Sequence, residues 1–380
     1  MKIAIVANTA WYVANFRLNL MRALRHAGHE VVAIAPPDAA HAHDSARITA
    51  AGFKHCVWPL SGRGKNPVAE LGAVLGLRRW LHEEGVDLVL SYTPKGNIYS
   101  ALARSCLPCR QIANVSGLGS SFIASNLLTK LVQALYRLTF ARIDWVFFQN
   151  EDDRQIFLQA GLVSEAKSER IPGSGVDLQH FQPTPLPAVA PAAGSPEPRT
   201  FLLIARLLGD KGVREFVEAA RMVREELPQM RFQLLGLAAA DNPTAIRAEE
   251  LSAWLAEGVV SYLGHHGDVR PFIAEAHCVV LPSYREGVPR TLLEAGAMGR
   301  PLIATNVPGC RDTITPGRNG WLCPARDAGA LADALTRMAL LPRTALEAMG
   351  AQSALKMQRE FSEEQVIARY LERVERVERV

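Results

Sequence analysis

Short apolar runs with no polar alternation recur down this chain, and segments of helical periodicity separate them. "KIAIVA" comes first, then "WYVANFRLNLMRALRHAGHE" with helical spacing that stops at Gly28, then "EVVAIAP" ending at a proline. A strand that is apolar on both faces has to be covered on both. Strand, helix, strand in that order therefore predicts a parallel sheet sandwiched between helices. The alternation continues through "HCVWPL" (strand), "AELGAVLGLRRWLHEEG" (helix), "DLVLSYT" (strand), "GNIYSALARSC" (helix), "RQIANVS" (strand), a helix from Ser125 to about Arg142, "DWVFFQN" (strand) and "EDDRQIFLQAG" (helix). Asn150 is placed to cap that last helix, and "SERIPGSGVDLQHF" reads as a short strand and a turn.

The alternation breaks over Gln182–Arg199, "QPTPLPAVAPAAGSPEPR", which is dense in Pro, Ala and Ser and has no period. It then resumes from "TFLLIARL" to "AGALADALTRMALL", and a charged amphipathic helix follows from Ser362. The expected organisation is a first α/β domain over 1–180, a connection over 181–199 and a second α/β domain over 200–361. The helix of 362–380 is expected to pack back on the first domain. Open α/β sheets bind ligands at the carboxyl ends of their strands, so with two such domains the cleft between them is the expected site.

Composition narrows the class. Of 380 residues 48% are apolar and 21% charged, ordinary for a globular chain of two domains. The net charge of +4 is too small to argue for nucleic acid, and no nucleic-acid partner is expected, but it suits anionic ligands or an anionic membrane surface. Six cysteines are too few for a disulfide scaffold, and "CLPC" (Cys106, Cys109) lacks a second half for a zinc site, so buried or loop thiols in a reduced cytosol are expected. "MKIAIVAN" becomes strand-like at once and lacks a signal-peptide apolar region. No stretch is long and apolar enough for a membrane span, which points to a soluble or peripheral protein.

Two places carry chemistry. "LLIARLLGDKG" sets Arg206 and Lys211 just after a strand, in a glycine-containing loop before a helix, which is an anion site unless the two are simply solvated charges. Neither the G-x-x-x-x-G-K-[ST] nor the G-x-G-x-x-G spacing is present. In "SYREGVPRTLLEAGAMGRP", Pro289 suits the first turn of a helix. Glu286 then lies in the loop before it and Glu294 inside it, and the amides of Gly287, Val288, Arg290 and Thr291 gather at its start. The neighbours of Glu294 are apolar or small, so its carboxylate needs a hydrogen-bond donor, and sugar hydroxyls are natural ones.

Glu286 and Glu294 form an E-x7-E element, and "LPSYREGVPRTLLEAGAMGRPLIATNVPGCRDTI…GRNGWL" around it resembles the family-4 retaining glycosyltransferases of GT-B fold. "ARLLGDKG" resembles their Arg/Lys diphosphate loop. "SYTPKGNIYSALA", "NVSGLGSSF", "FFQNEDDRQIF" and "IPGSGVDLQHFQP" are similar to the subgroup acting on polyprenyl-diphosphate-linked sugars in bacterial surface polysaccharide assembly. The resemblance implies two Rossmann-like domains facing across a cleft, the first for the acceptor and the second for a UDP-sugar donor. It implies that Arg206 and Lys211 hold the donor diphosphate and neutralise the leaving group. Glu286 would contact the donor sugar, with Glu294 on the ribose hydroxyls. Gly287, Val288, Pro289, Arg290 and Thr291 would border sugar or phosphate, and Leu263 and Gly264 the base. On the acceptor side it implies the loops carrying Asn8, Thr9 and Asn15, then Tyr92, Thr93, Lys95 and Asn97, then Ser116 and Gly117. Many relatives have a His near "NVSGLG"; Ser116 stands there, so no histidine role is carried over. No D-x-D motif is present, "EDDR" reading as an acidic first helical turn, and the resemblance implies a reaction that needs neither metal nor cofactor.

In "FIASNLLTKLVQALYRLTFAR" leucines at helical spacing alternate with Lys130, Arg137 and Arg142. That is the pattern of a basic helix lying on an anionic leaflet, and also of a helix facing a core with solvated cations. With a lipid-linked acceptor implied, peripheral attachment to the inner face of the cell membrane is expected. Two other functions remain open: a UDP-sugar hydrolase or epimerase on the same fold, and a nucleotide-sugar-binding scaffold protein without turnover.

Overall fold

Alternate residues of each central strand feed two different cores, which is why the strands read as unbroken apolar runs. In β1 (Lys2–Val6), Ile3 and Ile5 enter one core with Leu88 and Leu90, while Ala4 and Val6 enter the other with Val89. In β8 (Thr200–Ile204), Phe201 and Leu203 face one side and Leu202 and Ile204 the other. Period-two side chains with both faces covered are the signature of a parallel sheet between helical layers. The computed structural model describes residues 1–37, 43–60, 66–118, 127–188, 196–238 and 242–379, with backbone alone for 127–132.

The chain divides into two units, Met1–Ser174 with Gln365–Val380, and Gly175–Glu364. The first runs from β1 through α1 (Ala10–Phe16), α2 (Leu18–His26), β2 (Glu30–Ala35), α3 (His43–Ala50), β3 (Lys54–Val57), α4 (Pro67–Glu83), β4 (Leu88–Tyr92), α5 (Pro94–Ala103), β5 (Arg110–Val115), α6 (Leu127–Phe140), β6 (Trp145–Phe148) and α7 (Glu151–Gln159) to β7 (Ser168–Arg170). The second runs from β8 through α8 (Val213–Glu226), β9 (Arg231–Leu235), α9 (Ala248–Glu257), β10 (Ser261–Tyr262), α10 (Arg270–Glu275), β11 (Cys278–Leu281), α11 (Arg290–Ala297), β12 (Leu302–Thr305), β13 (Gly320–Cys323) and α12 (Ala328–Leu340) to α13 (Arg343–Glu360), and α14 (Glu363–Glu378) then returns to the first.

The two sheets have the orders β3-β2-β1-β4-β5-β6-β7 and β10-β9-β8-β11-β12-β13, parallel throughout. Both are doubly wound. The order reverses between β1 and β4 in one and between β8 and β11 in the other, and at such a reversal the connections leave in opposite directions and open a crevice at the carboxyl ends. Val366, Tyr370 and Val374, one helical turn apart on α14, are buried in the first unit's core.

Three local readings are corrected. The single helix expected after β1 is two, because Arg17 breaks it with φ −129° and ψ −5° and turns its side chain inward. Pro289 is the cap of α11 rather than its first helical residue, with ψ 115° and its carbonyl accepting from Leu292 and Leu293. Arg142 lies in the turn after α6, not on the helix. Asn150 caps α7 through a 2.8 Å bond from the Asp153 amide. The described part of 182–199 is held against the second unit: Leu186 is in its core, and Arg343 donates to the carbonyls of Leu186 and Pro187 at 2.9 Å each.

Candidate functional site: the carboxyl ends of β8 and β11

After β8 the chain makes a tight loop whose backbone is clamped from two sides. The Gly209 amide donates to the Thr244 carbonyl at 2.6 Å, and the Asp210 carbonyl accepts from the Tyr284 amide at 2.9 Å. Gly212 closes the loop with φ +72°, and a Cβ there would sit 2.1 Å from the Pro282 carbonyl oxygen, so only glycine lets this loop lie on the end of β11. Gly309 does the same on the far side of β11: its φ is +78°, and a Cβ would meet the Gly287 carbonyl oxygen at 2.0 Å. Glu286 and Gly287 are thus pinned between the loops that follow β8 and β12.

These constraints bring Lys211 to Glu286. Their Nζ and Oε1 atoms are 2.5 Å apart, with both side chains largely but not wholly buried. Arg206, on the same loop as Lys211, is exposed and makes no side-chain hydrogen bond or ion pair among the described residues. Tyr284 braces the segment, donating to Glu215 of α8 at 2.5 Å, with the Arg326 guanidinium 4.6 Å above its ring. Burial, and then the Glu215 carboxylate, push the Tyr284 phenol up to about 12, so it stays a donor.

Glu294 is in the second turn of α11, where Arg290 donates to it at 2.8 Å. Burial pushes its carboxyl above the ordinary glutamate range, against the pull of Arg290. The donor that the apolar surroundings demand is therefore supplied by a side chain one turn away. Gly287, Val288 and Pro289 are buried, and Arg290 and Thr291 half-buried at the helix start. Leu263 is half-buried after β10, its amide on the Leu234 carbonyl, and Gly264 follows with φ +79°.

In the first unit the expected acceptor-side residues separate into two sets. Asn8 is half-buried after β1, Thr9 caps α1 by accepting from the Tyr12 amide at 3.1 Å, and Asn15 accepts from Arg47 at 3.0 Å. Thr93 holds φ +68°, a backbone state that costs a β-branched residue energy and clusters at functional sites. Lys95 is 2.7 Å from Glu70, and Gly117 has φ +115°. Tyr92 and Asn97 are wholly buried, and Asn97 bonds Ser91 and the Asn114 carbonyl. Those two side chains stand behind the loops rather than facing outward, a correction that follows from β4 being covered on both faces.

Four residues that sequence reasoning passed over join these loops: Asp210, Tyr284, Tyr12 and Arg17. Asp210 and Tyr284 lie inside the quoted motifs, where the flanking charges drew the attention. Tyr12 and Arg17 look like ordinary members of an amphipathic helix. The cysteines of "CLPC" diverge, Cys106 exposed and Cys109 buried, both free. In α6, Tyr136 and Phe140 enter the core, Leu138 is exposed, and Arg137 donates to the Ala160 carbonyl at 3.2 Å; the Lys130 side chain lies outside the described residues.

Residues 13–173 match the glycosyltransferase 4-like domain and residues 198–340 the glycosyltransferases group 1 model. The chain is 28% identical over 388 residues, covering 99% of both chains, to N,N'-diacetylbacillosaminyl-diphospho-undecaprenol alpha-1,3-N-acetylgalactosaminyltransferase of Campylobacter jejuni. It is 30% identical over 205 residues, 52% of this chain and 48% of the relative, to the putative colanic acid biosynthesis glycosyltransferase WcaL of Escherichia coli. Among solved structures, Anabaena HepE with UDP and glucose superposes with TM-score 0.80 at 16% identity, covering 99% of each chain. The pneumococcal O-GlcNAc transferase GtfA with UDP and GlcNAc superposes with TM-score 0.73 at 15% identity, again over 99% of each chain. Two doubly wound parallel sheets, each matching one of these domains, place the chain in a family: it belongs to the GT-B glycosyltransferases, a 4-like domain followed by a group 1 domain.

Proposed function

We propose that this glycosyltransferase moves a hexose or N-acetylhexosamine from a UDP-sugar to a polyprenyl-diphosphate-linked saccharide, with retention at the anomeric carbon and without a metal, in cell-surface polysaccharide biosynthesis. The observation that carries the reading is the Lys211–Glu286 pair at the β8/β11 reversal, with exposed Arg206 on the same loop as Lys211. A cation paired with a carboxylate, and a second cation on the same loop, suit a ligand with a diphosphate at one end of a sugar. The acceptor class draws support from the Campylobacter relative, named for a diphospho-undecaprenol substrate, and the donor from the neighbours solved with UDP.

In this reading the anomeric carbon–oxygen bond breaks and its electron pair leaves with UDP. The acceptor hydroxyl oxygen attacks from the same face and its proton passes to the departing phosphate oxygen. The protein's task is then to stabilise charge on the leaving diphosphate, which Arg206 and Lys211 do. Glu286 orients Lys211 and accepts from the donor sugar, and Glu294 accepts from the ribose. Gly287, Val288, Pro289, Arg290 and Thr291 border the phosphate and sugar, and Leu263 and Gly264 the base. Asn8, Thr9, Asn15, Thr93, Lys95, Ser116 and Gly117 form the acceptor side.

The acceptor is anchored in a bilayer, so the enzyme works at the inner face of the cell membrane. No helix among the described residues is long and apolar enough to cross one. The contact we assign is α4, which is apolar on both sides. Ala73, Leu77 and Leu81 are buried, while Val68, Leu71 and Leu75 are 77%, 61% and 55% exposed. Helical spacing continues that outer stripe into Arg78, Arg79 and His82, all exposed. An apolar stripe followed by Arg78 and by Arg79, which pairs with Glu83 at 2.7 Å, suits an anionic leaflet.

The deciding experiment is UDP release measured with and without a lipid-diphosphate-linked acceptor. Release that requires the acceptor is the expected result. Release without it would make the chain a hydrolase, and binding without release a scaffold.

A further inference from the structure

Arg17 is 1% exposed, and among the described residues no carboxylate lies within ion-pair distance of it. Its Nη2 donates to the Tyr12 hydroxyl at 2.8 Å and to the Ser174 hydroxyl at 3.2 Å, and its Nε has no partner. Aromatic faces surround the rest: the guanidinium carbon is 4.2 Å from the Tyr92 ring centre, 5.4 Å from that of Tyr12 and 6.0 Å from that of Tyr370. Neutral phenols and ring faces make a buried cation tolerable, but they do not cancel its charge.

The position of this charge is specific. Tyr92 ends β4, Tyr12 lies in the first turns after β1, and Ser116 follows β5, so Arg17 sits beneath the carboxyl ends of the strands at the first unit's reversal. A directed chain of hydrogen bonds starts from it. Arg17 donates to Tyr12, leaving the phenol proton for Ser116 at 3.1 Å, and Ser116 donates to Asn114 Oδ1 at 3.0 Å. Asn114 Nδ2 donates on to Tyr370 at 2.8 Å. Each donor is thereby polarised away from the guanidinium, and the loops after β1 and β5 are fixed relative to each other.

We propose that Arg17 is a positioning residue that also sets the first unit's preference for a charged acceptor: its uncompensated charge favours a saccharide carried on a diphosphate over the same saccharide on a neutral aglycone. The inference rests on the acceptor class proposed above. The favourable partner that Arg17 lacks in the folded chain is the acceptor's own anion, which would feel the field of the guanidinium across the Tyr12 and Ser116 side chains.

The experiment compares two acceptors with one saccharide, linked either to polyprenyl diphosphate or to an uncharged octyl group, for the wild type, Arg17→Met and Arg17→Gln. In both variants the KM for the diphosphate-linked acceptor should rise about tenfold or more. The KM for the octyl acceptor and for the UDP-sugar should stay within about twofold, and the melting temperature should not fall, because the change removes a buried unpaired charge. Equal losses on both acceptors, an equal loss on the donor, or failure of both variants to fold would assign Arg17 to the fold and overturn the proposal. If the wild type itself does not use the diphosphate-linked acceptor, the acceptor reading has failed; wild-type use with an unchanged variant ratio is failure of this inference alone.

Discussion

Lys211 Nζ lies 2.5 Å from Glu286 Oε1 across 75 residues of sequence, joining the loops that leave β8 and β11. The contact fixes the Lys211 ammonium and the Glu286 carboxylate against each other at the ends of β8 and β11. Either residue alone would be an ordinary partly buried charge; together they form a preformed polar floor.

This pairing separates Lys211 from Glu294 in kinetic terms. If, as proposed, Lys211 acts on charge that grows as the diphosphate leaves, Lys211→Ala should lower kcat by about two orders of magnitude or more. In the proposed role Glu294 would meet the ribose equally in the ground and transition states, so Glu294→Ala should raise the donor KM about tenfold with kcat largely kept. Steady-state kinetics on both variants tests the assignment. Equal, modest changes in KM alone would contradict it.

Glu294 also gives a pH signature. Its folded-state carboxyl titrates above the ordinary 4.5 because burial outweighs Arg290. For stability, this raised value is an advantage present below the unfolded pKa and lost as pH rises through the folded one. Without donor, Glu294→Gln should therefore leave the protein at least as stable at neutral pH. For the proposed ribose contact, the ionised form would be the better acceptor of hydroxyls. UDP affinity of the wild type, followed by thermal shift, should weaken on acidification before an ordinary glutamate would protonate. Glu294→Gln should bind UDP more weakly but without that acid limb. An acid limb that persists in the variant would place the titrating group elsewhere.

The fold was legible because burial on both faces of a strand leaves a plain mark: "KIAIVA" and "TFLLIA" have no polar phase. The site was legible where glycine, charge and strand end coincide, at Arg206–Gly212 and Glu286–Glu294. What pattern could not reveal was three-dimensional pairing. Nothing in a helical period announces that Arg17 turns inward and splits the helix, since arginine at that spacing reads as a solvated face. The helix of 343–360 was missed for a related reason. Its buried residues, Leu346, Met349, Gly350, Ser353 and Met357, are partly small or polar, and Gly350 packs on the backbone of Gly299, so close approach replaces an apolar stripe.

The membrane face can be assigned by swapping charge for apolar surface. Leu71→Asp with Leu75→Asp introduces two anions on the outer stripe of α4 and disturbs none of its buried residues. Co-sedimentation with vesicles containing anionic lipid should fall about tenfold or more, while transfer to a soluble octyl-linked acceptor stays near wild type. Lys130→Glu with Arg137→Glu should change binding less, because the described part of α6 spends Tyr136 and Phe140 on the core. Loss of binding in the α6 variant with retention in the α4 variant would move the contact to α6.

Arg300 ties the residues before β8 to the second unit and is expected to be worth more than any surface ion pair. It is wholly buried, with no acid beside it among the described residues, and burial pulls its guanidinium down to about 10. It donates to the carbonyls of Ile273, Ala274, Thr184 and Pro185 and to the Thr184 hydroxyl, at 2.7–3.1 Å. Removing the guanidinium takes the donor from the Thr184, Pro185 and Ala274 oxygens and leaves Ile273 only the Ala276 amide, a loss of about 3 kcal/mol or more. Arg300→Lys, with one compact ammonium in place of a planar fork, should recover only part of it. Urea unfolding of the intact chain should show the transition assigned to the second unit moving to lower urea in Arg300→Met, with the other unmoved. Limited proteolysis should open the chain near Thr184 in that variant and not in the wild type. If cleavage there is already fast in the wild type, Gln182–Arg199 is the free tether its composition suggests, and the carbonyl contacts of Arg300 do not hold it in solution.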